Sequence, residues 1–407
     1  MKQNAIIAGV GMTRFGKHLD RGLSSLAHEA INQAIEDSGL SPNQIQAAWA
    51  GNAGAPIITG QTMIAGQAIL RGLGIGKIPV VNVENACATA STAFQQAATM
   101  VTLGAHDVVL AFGVEKLFHP DKAKSFSVFA GAIDVERADE LLAYVNQGQT
   151  AGTSEDGSER KRSLFMDIYA RMARDYSALS GATANHYARV SVKNSKHGNL
   201  NPRAQFRDVL TEEEVLAAPV ISAPLTLPMC SPIGDGAAAA VIVSPRFARE
   251  HGITSPIRVL SSFMASSYEP AKGEDTITRY AANRAYELAG IEPKDISCVE
   301  LHDASTPAEL ICCEALSLCA RGEGPRLLDS GATTLGGRVP VNTSGGLVRK
   351  GHPVGATGLA QIFELTEQLR GRCGDRQVEG ARIGVAENGG GFLGQDAATV
   401  VMTVLSK

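Results

Sequence analysis

Three short stretches of this 407-residue chain carry side chains suited to nucleophilic chemistry, and the first contains Cys87. An apolar run ends at Val83, and a small-residue stretch with helical spacing extends from Cys87 to Leu103, so Cys87 lies where a strand ends and a helix begins. Free backbone N–H groups and the positive end of the helix dipole favour a thiolate at such a position. The sequence therefore predicts a nucleophile at Cys87, against the alternative of a small buried core cysteine.

The other two stretches contain histidines. His302 stands at the end of a predicted strand, directly before Asp303, where a lone histidine is most often structural. His352 lies in a Gly-His-Pro-Val-Gly-Ala-Thr-Gly run, in which glycines bring the backbone close to a ligand and Pro353 suits the first turn of a helix. Because no Gly-Lys-Ser/Thr follows, this run is not a phosphate-binding loop.

The elements that must position these residues occur twice along the chain. Val81-Asn82 matches Val341-Asn342, the helix after Cys87 matches a helix from His352 to Arg370, and the apolar run 236–243 matches 397–404. Such a duplication predicts two helix-covered sheets that pack pseudo-symmetrically. The starts of the two equivalent helices then face each other, which predicts that Cys87 lies near His352.

The domain organisation follows from where the repeat is interrupted. Residues 1–117 and 220–250 form the predicted first half, and residues 251–407 form the second. Residues 118–219 are more charged and irregular, with predicted helices at 163–180 and 186–197 and a strongly polar part at 147–161. We interpret residues 118–219 as an inserted cap domain.

Composition narrows the function classes. Charged residues make up 19% of the chain and the net charge is -4, which gives no case for a nucleic-acid or anionic-membrane partner. The chain has seven cysteines but no Cys-x-x-Cys pair, which argues against a zinc ribbon, and a predicted helix over 306–319 places Cys312, Cys313 and Cys319 in packing positions. No signal peptide or bilayer-length apolar run is present, so the prediction is a cytoplasmic protein with free thiols.

The motifs together resemble the thiolase superfamily over essentially the whole chain. The matching stretches are Asn85-Ala86-Cys87-Ala88-Thr89, His302-Asp303, and Ser344-Gly345-Gly346 through Gly351 to Gly358. His302-Asp303 stands where many thiolases have Asn-Glu-Ala-Phe. With His-Asp at this position, the chain resembles the branch of archaeal and sterol-carrier-protein-type thiolases. The stretches 201–207 and 230–238 resemble the same branch.

The resemblance implies a five-layered αβαβα thiolase fold with a loop domain over the active site. It also implies that Cys87, activated by His352, attacks a 3-oxoacyl-CoA, and that His302 and His352 hold the thioester oxygen. Backbone N–H groups at Cys87 and in the turn of Gly389 and Gly390 would form a second oxyanion hole. The same resemblance assigns substrate and CoA binding to Ser344 and Gly345.

One departure from the family pattern concerns the second catalytic cysteine. Most thiolases carry it in a Cys-x-Gly turn, where this chain has Glu387 or Asn388 before the glycines. The related branch often has a cysteine directly after His-Asp, where this chain has Ala304. Glu387 is a candidate acid/base if apolar surroundings raise its pKa, and a structural role is the alternative.

The resemblance also implies partners. Coenzyme A is the expected co-substrate, with no bound cofactor or metal, and the expected assembly is a homodimer or higher homo-oligomer. A small partner protein with a zinc ribbon and an OB-fold is a further expectation from the branch. Three alternatives stay open at this point: a 3-oxoacyl synthase, which Gly-His-Pro in place of Gly-His-Thr disfavours; a thiolase-like retro-aldolase, which typically lacks the cysteine; and a non-catalytic acyl-CoA-binding subunit.

Overall fold

The computed structural model of the protein describes residues 1–146, 164–269 and 275–407. The first part of the chain alternates strands and helices: β1 (Ala5–Met12), α1 (Leu23–Ser38), β2 (Ala47–Gly51), α2 (Ala55–Ile58), α3 (Ala65–Gly72), β3 (Val80–Val83), α4 (Thr89–Thr102) and β4 (Val108–Glu115). All eight residues of β4 are buried, because its apolar side chains up to Val114 are covered on both faces of the sheet.

The inserted stretch is largely helical in the residues described. Its elements are α5 (Lys122–Ser127), α6 (Ala138–Asn146), α7 (Leu164–Ser180), α8 (Ala184–Asn199), α9 (Glu212–Ala217) and the small hairpin of β5 (Val220–Ser222) and β6 (Leu225–Thr226). The two helices predicted at 163–180 and 186–197 are confirmed to within two residues. The predicted polar part at 147–161 lies outside the described residues.

The rest of the chain returns to the first half and then repeats its order. The elements are β7 (Gly236–Val243), α10 (Pro245–Glu250), β8 (Ile257–Ser266), α11 (Ile277–Ala289), β9 (Cys298–Glu300), α12 (Thr306–Ala315), α13 (Gly324–Asp329), α14 (Gly346–Lys350), α15 (Thr357–Arg370), β10 (Ile383–Leu393) and β11 (Asp396–Ser406).

The strands form one nine-stranded sheet in the order β3-β2-β4-β7-β1-β8-β11-β10-β9. The expectation of two separate sheets is wrong, because β1 and β8 pair antiparallel from Ala5–Val259 to Ile7–Ile257 and join the halves edge to edge. The duplication is nevertheless plain on either side of this junction. The order β1, β7, β4, β2 in the first half corresponds to the order β8, β11, β10, β9 in the second. Even β3 has a counterpart, since Val341 makes a parallel bridge to Val299.

Three apolar clusters confirm the five layers. α1 and α3 cover the outer face of the first half-sheet, and α11 and α12 cover the outer face of the second. Between the half-sheets lie α4 and α15, whose apolar side chains pack against residues of both, such as Ala240 and Leu405. The central pair of helices is therefore covered from two sides, and the cysteine and histidine stretches lead directly into it.

Several predicted helices are shorter than their sequence pattern indicates. Small residues with helical spacing start at residue 60, but α3 begins only at Ala65, because Ile64 adopts a left-handed backbone conformation. The helix predicted to reach Cys319 ends at Ala315, since Ser317 has a positive φ of 58°, so Cys319 lies beyond it. In residues 1–146, 164–269 and 275–407, no helix combines the length and the apolar character that a bilayer crossing demands.

Candidate active site

Cys87 sits on a tight connection between β3 and α4. Ala86 has a positive φ of 48°, and a 3₁₀ turn over Ala86–Ala88 leads into the helix. The motif residues hold this turn: the Asn85 N–H donates to the Thr89 hydroxyl at 2.8 Å, and that hydroxyl donates to the Ala86 carbonyl at 2.6 Å. A strained residue held by its neighbours fixes the direction of the cysteine that follows it.

His352 faces the thiol from the equivalent connection of the second half. Its Nε2 lies 3.3 Å from Cys87 Sγ, so the structure brings these two residues together as the repeat predicts. Its Nδ1 lies 2.7 Å from the Thr357 hydroxyl, which itself donates to the Pro353 carbonyl at 3.1 Å. Because that hydroxyl has one proton, it accepts from Nδ1–H, which leaves a lone pair on the Nε2 that faces the thiol.

Glycines allow the two connections to approach this closely. A Cβ added at Gly358 in α15 would lie 2.5 Å from the Ser91 amide nitrogen and 2.6 Å from the Asn388 side-chain oxygen. One added at Gly113 would overlap the Gly355 carbonyl. Larger residues at these positions would push the start of α15 away from the start of α4, and with it His352 away from Cys87.

His302 completes a three-residue cluster. Its ring centroid lies 5.2 Å from that of His352, and one ligand-type atom from each of Cys87, His302 and His352 lies within 4.8 Å of the others. Its Nδ1 has two neighbours of opposite character, the Asn388 amide nitrogen at 3.5 Å and the Gly389 carbonyl. Its Nε2 is buried and has no hydrogen-bond partner among the described residues.

The electrostatic environment keeps all three groups neutral. Burial raises the pKa of the Cys87 thiol to about 12, and the charge of Glu115 adds to this rise, although the N–H groups of Gly391 and of Cys87 itself oppose it. The expected low thiol pKa is therefore wrong for the free protein, because desolvation outweighs the helix start. Burial also lowers the pKa of His302 to about 4 and that of His352 well below its usual range.

Glu387 is buried next to His302 on the opposite face of β10 from Asn388. Its carboxylate accepts the backbone N–H of His302 at 2.9 Å and contacts the Cys312 thiol. Burial raises its pKa to about 7, although the bonds to His302 and Cys312 oppose the rise. The structure thus gives Glu387 the raised pKa that its sequence position suggests.

The glycines after Glu387 do not form the predicted turn, because Gly389 and Gly390 pair with β11 and continue strand β10. This part of β10 packs directly on the cysteine connection. The backbone N–H of Gly391 is directed at the Cys87 thiol, and a Cβ added at Gly390 would lie 2.7 Å from the Ala88 nitrogen. Gly389 lies beside the ring of His302, where an added Cβ would be 3.5 Å from Nδ1. Of the three glycines, Gly391 is therefore the one whose amide points at the sulfur.

Ser344 and Gly345 lie in a buried polar network. The hydroxyl and N–H of Ser344 both donate to Glu300, at 2.5 and 3.0 Å, and Glu300 also pairs with Lys350. The N–H of Gly345 donates to the Asn342 carbonyl, and its φ of 100° is a conformation that favours glycine. The N–H groups of both residues are thus used inside the protein, where they hold the loop that precedes His352.

Glu115, which was not predicted from the sequence, ties the His352 loop to the first half of the protein. This buried carboxylate accepts the N–H of Gly355 and of Gly54, both at 2.9 Å, and burial raises its pKa to about 7. An available signal was a single acidic residue at the end of the otherwise apolar strand β4. Thr357 was also missed as the partner of His352, although it lies within the glycine-rich run.

Comparison with known proteins places these residues in a family context. The family model described as thiolase, N-terminal domain, matches residues 5–246, and the one described as thiolase C-terminal domain-like matches residues 265–403. The chain is 37% identical over 405 residues to acetyl-CoA acetyltransferase of Methanothermobacter thermautotrophicus, covering 98% of this chain and 99% of that protein.

Two further relatives have different names. The chain is 36% identical over 386 residues to the benzoylsuccinyl-CoA thiolase subunit BbsB of Thauera aromatica, with 93% and 92% covered. It is 34% identical over 412 residues to sterol carrier protein 2 of Gallus gallus, with 98% of this chain and 71% of that protein covered.

Solved structures share the fold over nearly the whole chain. The Ltp2-ChsH2(DUF35) aldolase matches with a TM-score of 0.77 and 26% identity, covering 98% of this chain and 97% of that one. Human mitochondrial 3-ketoacyl-CoA thiolase in complex with CoA matches with a TM-score of 0.71 and covers 100% and 99%. At 17% identity, this second likeness is one of fold alone.

Proposed function

Because the chain belongs to the thiolase family, we propose that it is an acyltransferase that cleaves a 3-oxoacyl-CoA with CoA, or runs the reverse Claisen condensation. The observation that carries this proposal is the 3.3 Å contact between Cys87 Sγ and an unprotonated His352 Nε2. CoA is the co-substrate that thiolases use. It would enter this site as a second thiol after Cys87 has taken the acyl group.

The first step starts from a neutral thiol and a neutral imidazole. His352 takes the thiol proton at Nε2 as Cys87 Sγ attacks the 3-keto carbon, so no free thiolate accumulates at the raised pKa. The bond between carbons 2 and 3 then breaks, and the electron pair leaves as the enolate of acetyl-CoA or a substituted relative. Protonation of that enolate at carbon 2 completes the step and leaves an acyl-Cys87 thioester.

Two oxyanion holes would stabilise the developing charges. The enolate oxygen would accept from protonated His352 Nε2–H and from His302 Nε2–H, the tautomer in which Nδ1 of His302 accepts from Asn388. The oxygen on the attacked carbon would accept from the N–H groups of Cys87 and Gly391, which already face the sulfur. This assigns the second oxyanion hole to Cys87 and Gly391, with Gly389 and Gly390 in the part of β10 that leads to Gly391.

The second step transfers the acyl group to CoA. The Glu387 carboxylate, which has given its proton to carbon 2, takes the proton of the CoA thiol. The resulting sulfur attacks the thioester carbon, and Cys87 leaves as a thiolate that regains the proton held by His352. We assign both proton transfers, to carbon 2 and from the CoA thiol, to Glu387, since its pKa of about 7 allows it to give and take a proton near neutrality. A purely structural role, as acceptor of the His302 N–H, is the alternative for this residue.

A retro-aldolase is the second candidate function, because the Ltp2-ChsH2(DUF35) aldolase shares this fold at 26% identity. Cys87, in contact with a base, favours a thiolase, since an aldolase cleavage needs no acyl-enzyme. The test is incubation of the full chain with a simple acyl-CoA, followed by intact mass measurement. A mass increase by one acyl group that is lost in Cys87→Ala supports the thiolase, and equal acylation of both proteins excludes Cys87 as the carrier.

For partners, we propose a homo-oligomer that also associates with a small zinc-ribbon and OB-fold protein. Val81 of the edge strand β3 is 41% exposed and Leu103 at the end of α4 is 60% exposed, apolar surface of the kind that subunit contacts cover. The aldolase neighbour contains a DUF35 component, and BbsB is named as a subunit. A monomer by light scattering at micromolar concentration would refute the oligomer, and co-purification from the native source tests the partner.

A further inference from the structure

We propose that Cys87, His302 and His352 form a binding site for a thiophilic divalent cation of the Zn²⁺ class, which blocks the nucleophile reversibly. This inference goes beyond the proposed function, because it concerns an ion that takes no part in acyl transfer. It is also distinct from the zinc ribbon that the cysteine spacing argues against, since its three ligands come from separate parts of the chain.

The distances fit a tetrahedral ion. Zn–S and Zn–N bonds of about 2.3 and 2.1 Å at a tetrahedral angle separate the two ligand atoms by about 3.6 Å. Cys87 Sγ and His352 Nε2 are already 3.3 Å apart, and the three ligand atoms lie within 4.8 Å of one another. A small movement of His302 would therefore close a Cys-His-His set around one ion.

His302 supplies the second, independent observation. Its Nε2 is buried without a hydrogen-bond partner among the described residues, and an unpaired buried nitrogen costs free energy that a metal bond would recover. In the tautomer with the proton on Nδ1, the nitrogen beside the Gly389 backbone, Nε2 carries the lone pair that a metal requires. His302 thus has a ready outer partner for coordination as well as one for oxyanion binding.

The surroundings of the other ligands suit a cation as well. Thr357 holds the Nδ1–H of His352, the kind of outer contact that orients a metal-binding imidazole. The buried carboxylate of Glu115 lies close enough to influence the thiol, and with a Cys87 thiolate it offsets the two positive charges of the ion. Cys87 itself is partly exposed, so an ion can reach the thiol from solvent.

Coordination is a simple exchange without oxidation or reduction. The metal–sulfur bond forms as the thiol proton passes to solvent, and a bound water leaves the ion for each protein ligand. An acylated Cys87 has no thiolate to offer, so the acyl-enzyme does not bind the ion. Cation binding and acylation are therefore mutually exclusive.

The test is a titration of the chelator-treated full chain with Co²⁺ and with Zn²⁺, which does not depend on enzymatic activity. We expect one ion per chain, thiolate-to-cobalt charge-transfer absorption, intense d–d bands of a tetrahedral site, and displacement of Co²⁺ by Zn²⁺. Cys87→Ser and Cys87→Ala should remove the charge-transfer band, and His302→Ala should weaken binding by more than 10-fold.

Thr357→Val, which removes only an outer partner, should weaken binding by about 10- to 100-fold. Cys319→Ser is the matched control, because Cys319 is another partly buried free thiol that lies outside the cluster, and it should bind Co²⁺ as the unaltered chain does. An unchanged charge-transfer band in both Cys87 variants overturns the proposal. So does its loss in Cys319→Ser, or affinity in His302→Ala equal to that of the unaltered chain.

Discussion

At the scale of residues, His302 and His352 are neighbours with different second partners. Thr357 fixes the protonated nitrogen of His352, so its other nitrogen is a base toward Cys87. His302 has both a donor and an acceptor beside Nδ1, so its Nε2 is free to present either a proton or a lone pair. This difference assigns thiol deprotonation to His352 and oxyanion binding to both histidines.

His302→Ala should fold normally and lose at least about 10²-fold in the rate of 3-oxoacyl-CoA cleavage, because one donor to the enolate oxygen is removed. The measurement is steady-state cleavage of a 3-oxoacyl-CoA, with thermal unfolding as the control for folding. Turnover close to that of the unaltered chain would remove His302 from the site. His352→Ala should show a loss at least as large, since it removes the base for Cys87 as well.

Glu387→Gln should spare acylation of Cys87 by a simple acyl-CoA, where no enolate is protonated. It should depress cleavage of a 3-oxoacyl-CoA and remove the limb of its pH–rate profile near pH 7, because the carboxyl with a pKa of about 7 is gone. Intact mass and pH-dependent initial rates measure the two effects. If rate and profile match those of the unaltered chain, Glu387 is the structural acceptor of the His302 N–H and another group carries the proton.

The residue types at the site were largely predictable from sequence, but their protonation states were not. Position in the repeat was enough to predict contact between Cys87 and His352. The thiol pKa depends instead on how completely the folded chain removes water and on the charge of Glu115, which comes from a strand 28 residues further along the chain. Neither quantity is encoded in the spacing of nearby residues.

At the scale of elements, the site depends on loops that cross at van der Waals distance. The glycines after Glu387 in β10 rest on the cysteine connection, and the start of α15 rests on the start of α4. Strand and helix order could be predicted from apolar periodicity, and the helix ends could not, because they depend on single left-handed residues such as Ile64 and Ser317. The joining of the two half-sheets was equally hidden, since it pairs two strands far apart in the chain.

Gly390→Ala should destabilise the protein by about 1–3 kcal/mol and reduce acylation of Cys87, because the added methyl group overlaps the Asn85 carbonyl and the Ala88 nitrogen. Gly389→Ala is the matched control, since its methyl group would meet ordinary contacts of 3.5 Å or more. Chemical denaturation measures the difference in the free energy of unfolding. Equal stability of the two variants would contradict the close packing of Gly390 in β10 on the cysteine connection.

At the scale of the whole molecule, residues 118–219, which we predict to form an inserted cap, are fastened to residues 251–407 through buried polar groups. Nδ1 of His197, in α8, lies 3.0 Å from the Asn342 carbonyl oxygen, and Nε2 accepts the Leu335 N–H. Because Nε2 accepts a hydrogen bond, the ring is neutral. Burial and the charge of Lys193 lower its pKa to about 3. The predicted cap is therefore attached through a neutral histidine, which becomes protonated only at low pH.

The pKa of His197 is lower in the folded protein than the ordinary histidine value of 6.5. This residue therefore stabilises the folded state above pH 6.5, and its contribution is lost as the pH falls toward 3. His197→Gln should be less stable than the unaltered chain at pH 8, and the difference should shrink between pH 6.5 and pH 4. Thermal unfolding at a series of pH values measures this difference. The difference between the two proteins reports the effect of His197 alone, because carboxyls with raised pKa values, such as Glu115, change the stability of both proteins with pH in the same way. A constant difference over this range would contradict a neutral buried His197.

The junction between β1 and β8 has a consequence for how a bulky thioester reaches Cys87. A hinge between the two halves would break the pairs from Ala5–Val259 to Ile7–Ile257 and strip the cover from the central helices α4 and α15. Entry and exit of reactants and products between the two halves would therefore expose much of the apolar central core to water. We therefore expect changes to the segments outside the nine-stranded sheet to alter the rates at which reactants and products exchange, without altering the framework that aligns Cys87 with His352.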